Sequence, residues 1–123
     1  MEICTSHPID PADVYDGLVK NGAGSAVLHF AVAKPEDQAF TDGRSSADTL
    51  AELRGIAQAM SAEFTLEDVI LIRRTGRVVE GDIVSLVAAS APSSEDAFEA
   101  CKQGLKRMKR MLTLAPEEYS ASA

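Results

Sequence analysis

The sequence predicts one mixed domain, α+β or α/β, in which a mixed sheet carries three main helices in the order β-α-β-α-β-β-α. Three observations carry this reading. Apolar residues recur at helical spacing at Leu50, Leu53, Ile56, Ala57 and Met60, and again at Phe98, Cys101, Leu105, Met108 and Leu112. Short β-prone runs at 24–32, 67–74 and 82–89 are interleaved with them. Helix-start signals stand at Asp10-Pro11 and at Ser93-Ser94.

Taken in order, residues 2–5 form a short first strand, and His7-Pro8 turns the chain. Asp10 is placed to accept from the orphan amides of a helix, Pro11 takes the first helical position, and Asp13 sits near the positive end of the dipole. This helix reaches Val19 or Lys20 and stops at Asn21-Gly22. The run GSAVLHFAV is apolar nearly throughout and is read as a central strand buried on both faces. Residues 34–46 are polar, without periodicity, and form a loop. Ser46 or Asp48 opens the second helix. Two strands follow, joined through Gly76 and Gly81. Ser93 or Ser94 caps the last helix, with Glu95 and Asp96 in its first turn. The end of the chain, residues 113–123 and above all EEYSASA after Pro116, is expected to fray.

The 123 residues suffice for a single core, so 1–123 is read as one domain. With 46% hydrophobic and 25% charged residues, usage is that of an ordinary globular protein. A formal net charge of −7 argues against a dedicated nucleic-acid binder. No apolar run approaches the roughly 20 residues that span a bilayer, and MEICTSHPID lacks the pattern of a signal peptide. Cys4 and Cys101 stand far apart and outside any C-x-x-C, so neither a zinc site nor a disulfide is expected. No metal or cofactor is called for. A cytoplasmic protein with reduced thiols is the economical expectation.

Positive charge is concentrated in one place. The hairpin Arg73-Arg74-Thr75-Gly76-Arg77 leads toward a helix carrying Lys102, Lys106 and Lys109, which would attract a small anion or an acidic chain end. Lys109 lies at the margin of the apolar stripe beside Leu105 and Leu112. There a lysine can bury its methylenes and set its amine at a cleft mouth, as a nucleophile or proton shuttle; equally, it can snorkel on a solvated basic face. Lys102 and Lys106 project further toward solvent. Arginine forks at 73, 74 and 77 suit phosphate or carboxylate, or pair with Glu80 and Asp82. His29 reads as a hydrogen-bonded core residue, and Cys101, Met108 and Met111 as apolar filler. Ser90, Ser93 and Ser94 have no histidine base nearby, and no G-x-S-x-G elbow or glycine-rich phosphate loop occurs.

Four segments together resemble the large subunit of molybdopterin synthase, the MoaE family. They are ICTSHPIDPADVYDGLV, with its proline-led turn and first helix; GSAVLHF; the hairpin VILIRRTGRVVEGD; and SEDAFEACKQGLKRMK, whose Ala97-Phe98-Glu99-Ala100 matches the family helix outright. The resemblance reaches to about Met111 and implies an α+β fold of the α/β-hammerhead type and a homodimer. It also implies a small ubiquitin-like partner whose C-terminal Gly-Gly thiocarboxylate enters a pocket of the large subunit. Sulfur would pass there to a cyclic pyranopterin phosphate, a step in molybdenum cofactor biosynthesis. The family's essential lysine, eleven residues after the phenylalanine, falls on Lys109. Arg73, Arg74, Lys106 and Phe30 are then the expected substrate-binding residues.

The chain departs from the family pattern at several positions. Arg73 replaces a histidine; Ser93 and Ser94 stand where His-Arg is usual; Pro35 replaces the strand-end arginine; and Pro116 replaces a second lysine. Each charge-assisted contact contributes roughly 1.5–3 kcal/mol. Three functions therefore compete: a divergent sulfur-transferring subunit using Lys109, a non-catalytic paralogue acting as a dimeric binding or regulatory protein, and, more weakly, an enzyme acting on another anion with the inherited basic pocket.

Overall fold

In the computed structural model, the backbone is described for residues 1–35 and 46–122, and the side chains up to Met111 apart from Ser46. The elements are β1 (Glu2–Thr5), α1 (Pro11–Gly17), β2 (Ser25–Val32), α2 (Ser46–Glu63), β3 (Asp68–Arg74), β4 (Ile83–Ala91) and α3 (Ser94–Ser122). Their order is the one read from the sequence. The strands form one mixed sheet ordered β1-β3-β4-β2, with β1 parallel to β3 and the other two pairs antiparallel.

Local chemistry explains the short first helix. Asp10 Oδ1 accepts from the Ala12 amide at 2.9 Å, and Pro11 fills the first position. The helix ends at Gly17, earlier than the apolar pattern indicates, because Leu18 turns to extended backbone while its amide still bonds Val14. Across the sheet, the hairpin between β3 and β4 turns with Gly76 at φ 78° and Gly81 at φ 91°, a conformation that side chains resist.

Strand alternation sorts the interior into two layers. On one face Val69 and Leu71 of β3 and Val87 and Ala89 of β4 pack against Leu53, Ile56 and Met60 of α2 and Ala100, Cys101 and Met108 of α3. On the other face Ile70, Ile72, Leu86 and Ala88 pack against Val14 of α1 and Leu18 just after it. Helix α2 rests mainly on β1 and β3, and α3 on β4 and β2.

The expectation for β2 fails. It is an edge strand, not a central one, and its residues are half-buried or exposed, with Phe30 41% and Val32 49% accessible. The central strands are β3 and β4. A continuous apolar run reports contact on the two sheet faces, and β2 has α3 on one face while Ala26 and Leu28 join the Ile70–Leu86 cluster on the other. It carries no information on whether a further strand lies alongside.

The stripe read for α3 is also displaced. Cys101, Met108 and Met111 are buried as expected, Leu105 is half-buried, and Phe98 is 62% exposed. The buried arc is instead completed by Ala97, Ala100 and Gly104. The helix packs against α2 as well as the sheet, which rotates its covered face toward small residues that allow close approach. A side-chain carbon at Gly104 would stand 2.7 Å from Met60 Sδ and 3.2 Å from Val87 Cγ1. The backbone of α3 continues through Pro116 to Ser122. The frayed tail expected at 113–123, the stripe residue Leu112, and most of the loop expected at 34–46 fall outside the described side chains or residues.

Candidate functional site

The start of α3 is fixed by Ser93. Its Oγ accepts from the Asp96 amide at 3.2 Å, and its carbonyl accepts from the Ala97 amide at 3.2 Å. The position where the family pattern has a polar or cationic group is thus used here as a helix cap. From that cap the helix packs against α2, with Gly104 against Met60 and Arg107 Nη2 2.7 Å from Glu63 Oε1. At about 100° per residue, this contact turns Phe98, Lys102, Leu105 and Lys109 to the opposite flank, the one beside β2. Cys101 Sγ lies 3.4 Å from the Val27 carbonyl of β2 and marks the edge of that flank.

Lys109 is therefore an exposed side chain on the β2 side of α3, on the same flank as Phe98 and Leu105. Lys106 is exposed and lies further round toward solvent. Lys34, exposed, follows the end of β2.

The sheet register decides the rest. Across the face that α2 and α3 cover, Cys4, Arg73, Ser85 and Ala31 form one row running over all four strands. Glu2, Leu71, Val87 and His29 form the next. Cys101 touches Val27 and Gly104 lies against Val87, so α3 runs along this face from the row of Val27 toward the row that holds Arg73. Arg73 is 0% exposed. A substrate group reaches its guanidinium only by displacement of what covers it.

Arg74, the next residue, belongs to the other face. Its Nη1 is 3.4 Å from Asp82 Oδ2, and its Nη2 is 3.5 Å from the Ser6 carbonyl and 3.4 Å from the Arg77 carbonyl. Asp82 Oδ2 also accepts from the Val79 amide at 3.0 Å. This is the alternative in which the arginine pairs with a surface acid, and it ties the hairpin to the end of β1. Phe30, opposite Leu86, likewise points to the α1 face. The structure thus brings Lys109 and Arg73 to one side of the sheet and sends Arg74 and Phe30 to the other.

His29 differs from the expectation of a hydrogen-bonded core residue: it is half-buried, and its buried Nδ1 has no hydrogen-bond partner among the described residues. Burial pushes the Cys101 thiol up to about 11, opposed in part by the Ala89 backbone. The thiol is thus a neutral packing group. Among the described residues no cluster of three or more His, Cys, Asp or Glu could hold a metal ion. Cys4 and Ser85, the row neighbours of Arg73, were missed by sequence reasoning. Their signal is the register of three strand pairs, which no local pattern contains.

A sequence model of the MoaE protein family matches residues 4–111. This chain belongs to the MoaE family. The molybdopterin synthase catalytic subunit of Caulobacter vibrioides is 38% identical over 53 residues, which are 43% of this chain and 35% of that protein. The matched stretch is thus about a third of the length of that relative. Among solved structures, the molybdopterin biosynthesis MoaE protein of Burkholderia ambifaria superposes with a TM-score of 0.81 at 21% identity, covering 89% of this chain and 76% of the other. A chain from the complex of subunits 1 and 2 of the molybdopterin-converting factor of Helicobacter pylori gives 0.66 at 10% identity, covering 85% and 75%. At these identities the likeness establishes the α+β MoaE fold. No helix among the described residues is long and apolar enough to cross a membrane.

Proposed function

We propose that this MoaE-family chain serves as a molybdopterin-synthase large subunit in molybdenum cofactor biosynthesis. In this reading sulfur passes from the C-terminal thiocarboxylate of a small ubiquitin-like partner to a cyclic pyranopterin monophosphate. The observation that carries it is the position of Lys109. It stands eleven residues after Phe98 of Ala97-Phe98-Glu99-Ala100 and is exposed on the helix that covers the same sheet face as Arg73. An amine there meets a carboxylate or phosphate entering along the edge of the sheet. The family match over 4–111 and the complex of subunits 1 and 2 in which the Helicobacter relative is found support the partner. The edge strand β2, eight residues without a formal charge that include exposed Phe30 and Val32, supports pairing with another chain, including a second copy.

The test is turnover of purified protein with a thiocarboxylated partner and the precursor. Activity that Lys109→Ala lowers by at least 100-fold, with partner binding retained, supports the reading. Equal residual activity in both proteins ends it.

One set of observations favours the second reading, a non-catalytic binding or regulatory paralogue. Ser93 is engaged as a cap, Arg74 is engaged in the hairpin, and Arg73 is fully buried, so three candidate anion-holding positions serve the fold. Partner binding without turnover, unchanged by Lys109→Ala, is its expected signature.

A further inference from the structure

The sheet has a second open edge, β1, at the opposite end of the strand order from β2. In a parallel ladder alternate residues bond the neighbouring strand, and the backbone groups of those between point outward. The Leu71 amide bonds the Met1 carbonyl at 2.9 Å and the Thr75 amide the Thr5 carbonyl at 2.8 Å, which fixes the phase: Met1, Ile3 and Thr5 serve β3. The N–H and C=O of Glu2 and Cys4 are therefore turned away from the sheet, and no described residue bonds them. These main-chain groups form a short template for one more strand.

The two sides of this edge differ. On the α1 side, Ile3, Ile9, Val14, Ile70 and Ile72 line a groove of about 260 Å³ whose only charged side chains are Asp10 and Asp13. Asp10 is engaged by the Ala12 amide, whereas Asp13 is exposed and has no ion pair among the described residues. On the α2 side, the polar side chains of Glu2, Arg54, Gln58 and Ser61 border a depression of about 420 Å³, with Glu2 Oε1 3.8 Å from Arg54 Nε. A strand laid against β1 sends alternate side chains to these two sides.

We propose that β1 takes up an extended segment of another protein, in which apolar residues and one lysine or arginine alternate with uncharged polar residues. Main-chain bonds to Glu2 and Cys4 supply pairing that any sequence can make, and the two sides supply selectivity. Residues turned to the α1 side set an apolar side chain against the isoleucines and a cation beside Asp13. Residues turned to the α2 side meet polar groups and need no apolar partner. An acidic segment is refused by Asp10, Asp13 and Glu2, since like charges brought together oppose docking. A second copy of this chain presents the same acids and has no cation in its own β1. The proposal is independent of sulfur transfer and of Lys109.

The test titrates the full chain, labelled with nitrogen-15, with the capped peptide Ser-Val-Thr-Leu-Thr-Lys-Ser-Gly. Saturable shifts at β1 are expected, with exchange of the Glu2 and Cys4 amides slowed at least tenfold. Replacing the lysine of the peptide by glutamate should weaken binding at least fivefold. Asp13→Lys should weaken the parent peptide as much and recover the glutamate peptide. Cys4→Pro removes an outward donor that the sheet does not use, a change an edge strand tolerates, and should also weaken binding at least fivefold. If that variant does not fold, two peptides N-methylated on alternate residues replace it: one phase should lose binding and the other keep it. The proposal is overturned by no saturable shift up to about 1 mM peptide, by shifts confined to β2, or by equal binding of the lysine and glutamate peptides or of the two methylated phases. Concentration-dependent protection of Glu2 and Cys4 without peptide also overturns it, assigning the edge to a second copy.

Discussion

Arg73 and Arg74 are neighbours in the chain that the sheet sends to opposite sides. Arg73 is fully enclosed on the face that carries α2 and α3, whereas Arg74 closes the β3–β4 hairpin against Asp82 at 3.4 Å. Adjacent residues on a strand cannot share a face. The two guanidiniums therefore never act as one fork, and their substitutions should have unlike consequences.

For Arg74 the expected effect is on stability. Its side chain is 9% exposed and that of Asp82 33%, so the pair is shielded more than a surface ion pair. Arg74→Ala should cost on the order of 1–3 kcal/mol, because it leaves Asp82 and two carbonyls short of a donor. A double-mutant cycle with Asp82→Asn, read from urea unfolding, should give a coupling of at least about 0.5 kcal/mol. Additive effects would show that the pair does not hold the hairpin.

Cys101 should be chemically silent and pH-sensitive only at high pH. Burial raises its thiol to about 11, above the ordinary value of 9.0. The unfolded chain therefore loses this proton first as pH rises. The associated stability is fully present below about pH 9 and is lost between 9 and 11, on the order of 2–3 kcal/mol. Unfolding free energies across that range should fall more steeply for the parent than for Cys101→Ala. Iodoacetamide at pH 8 should label half-buried Cys4 and spare Cys101 until the protein is unfolded.

Gly104 sets the distance between α2 and α3. Alanine there gains helix propensity but must move the end of Met60, so the two effects should nearly cancel. Valine adds contacts with Met60 and Val87, whose atoms already lie within 2.7–3.2 Å of the first added carbon. Gly104→Val should destabilise by about 1–3 kcal/mol or more, visible as a fall of several degrees in Tm. An unchanged Tm would mean that the helices can separate freely.

Phe98 gives the opposite contrast. With 62% of its surface exposed, Phe98→Ser should change unfolding free energy by less than about 1 kcal/mol, whereas Met108→Ala, at 1% exposure, should cost about 2–5 kcal/mol. Equal losses would place the phenylalanine in the core, as the apolar spacing alone implies.

How much was legible in advance follows from which interactions are local. The number, type and order of the elements were readable, because Asp10-Pro11, Ser93 and the alternation of apolar runs act within a few residues. The family resemblance was readable for the same reason: Ala97-Phe98-Glu99-Ala100 and the Gly76–Gly81 hairpin are contiguous. Tertiary structure alone decided that β2 lies at an edge, that Arg73 is enclosed, and that α3 turns Phe98 and Lys109 to the flank away from α2. Those outcomes depend on which strands pair, in what register, and on a second helix competing for one face of α3. Such contacts join residues far apart in the chain, and no local periodicity encodes them.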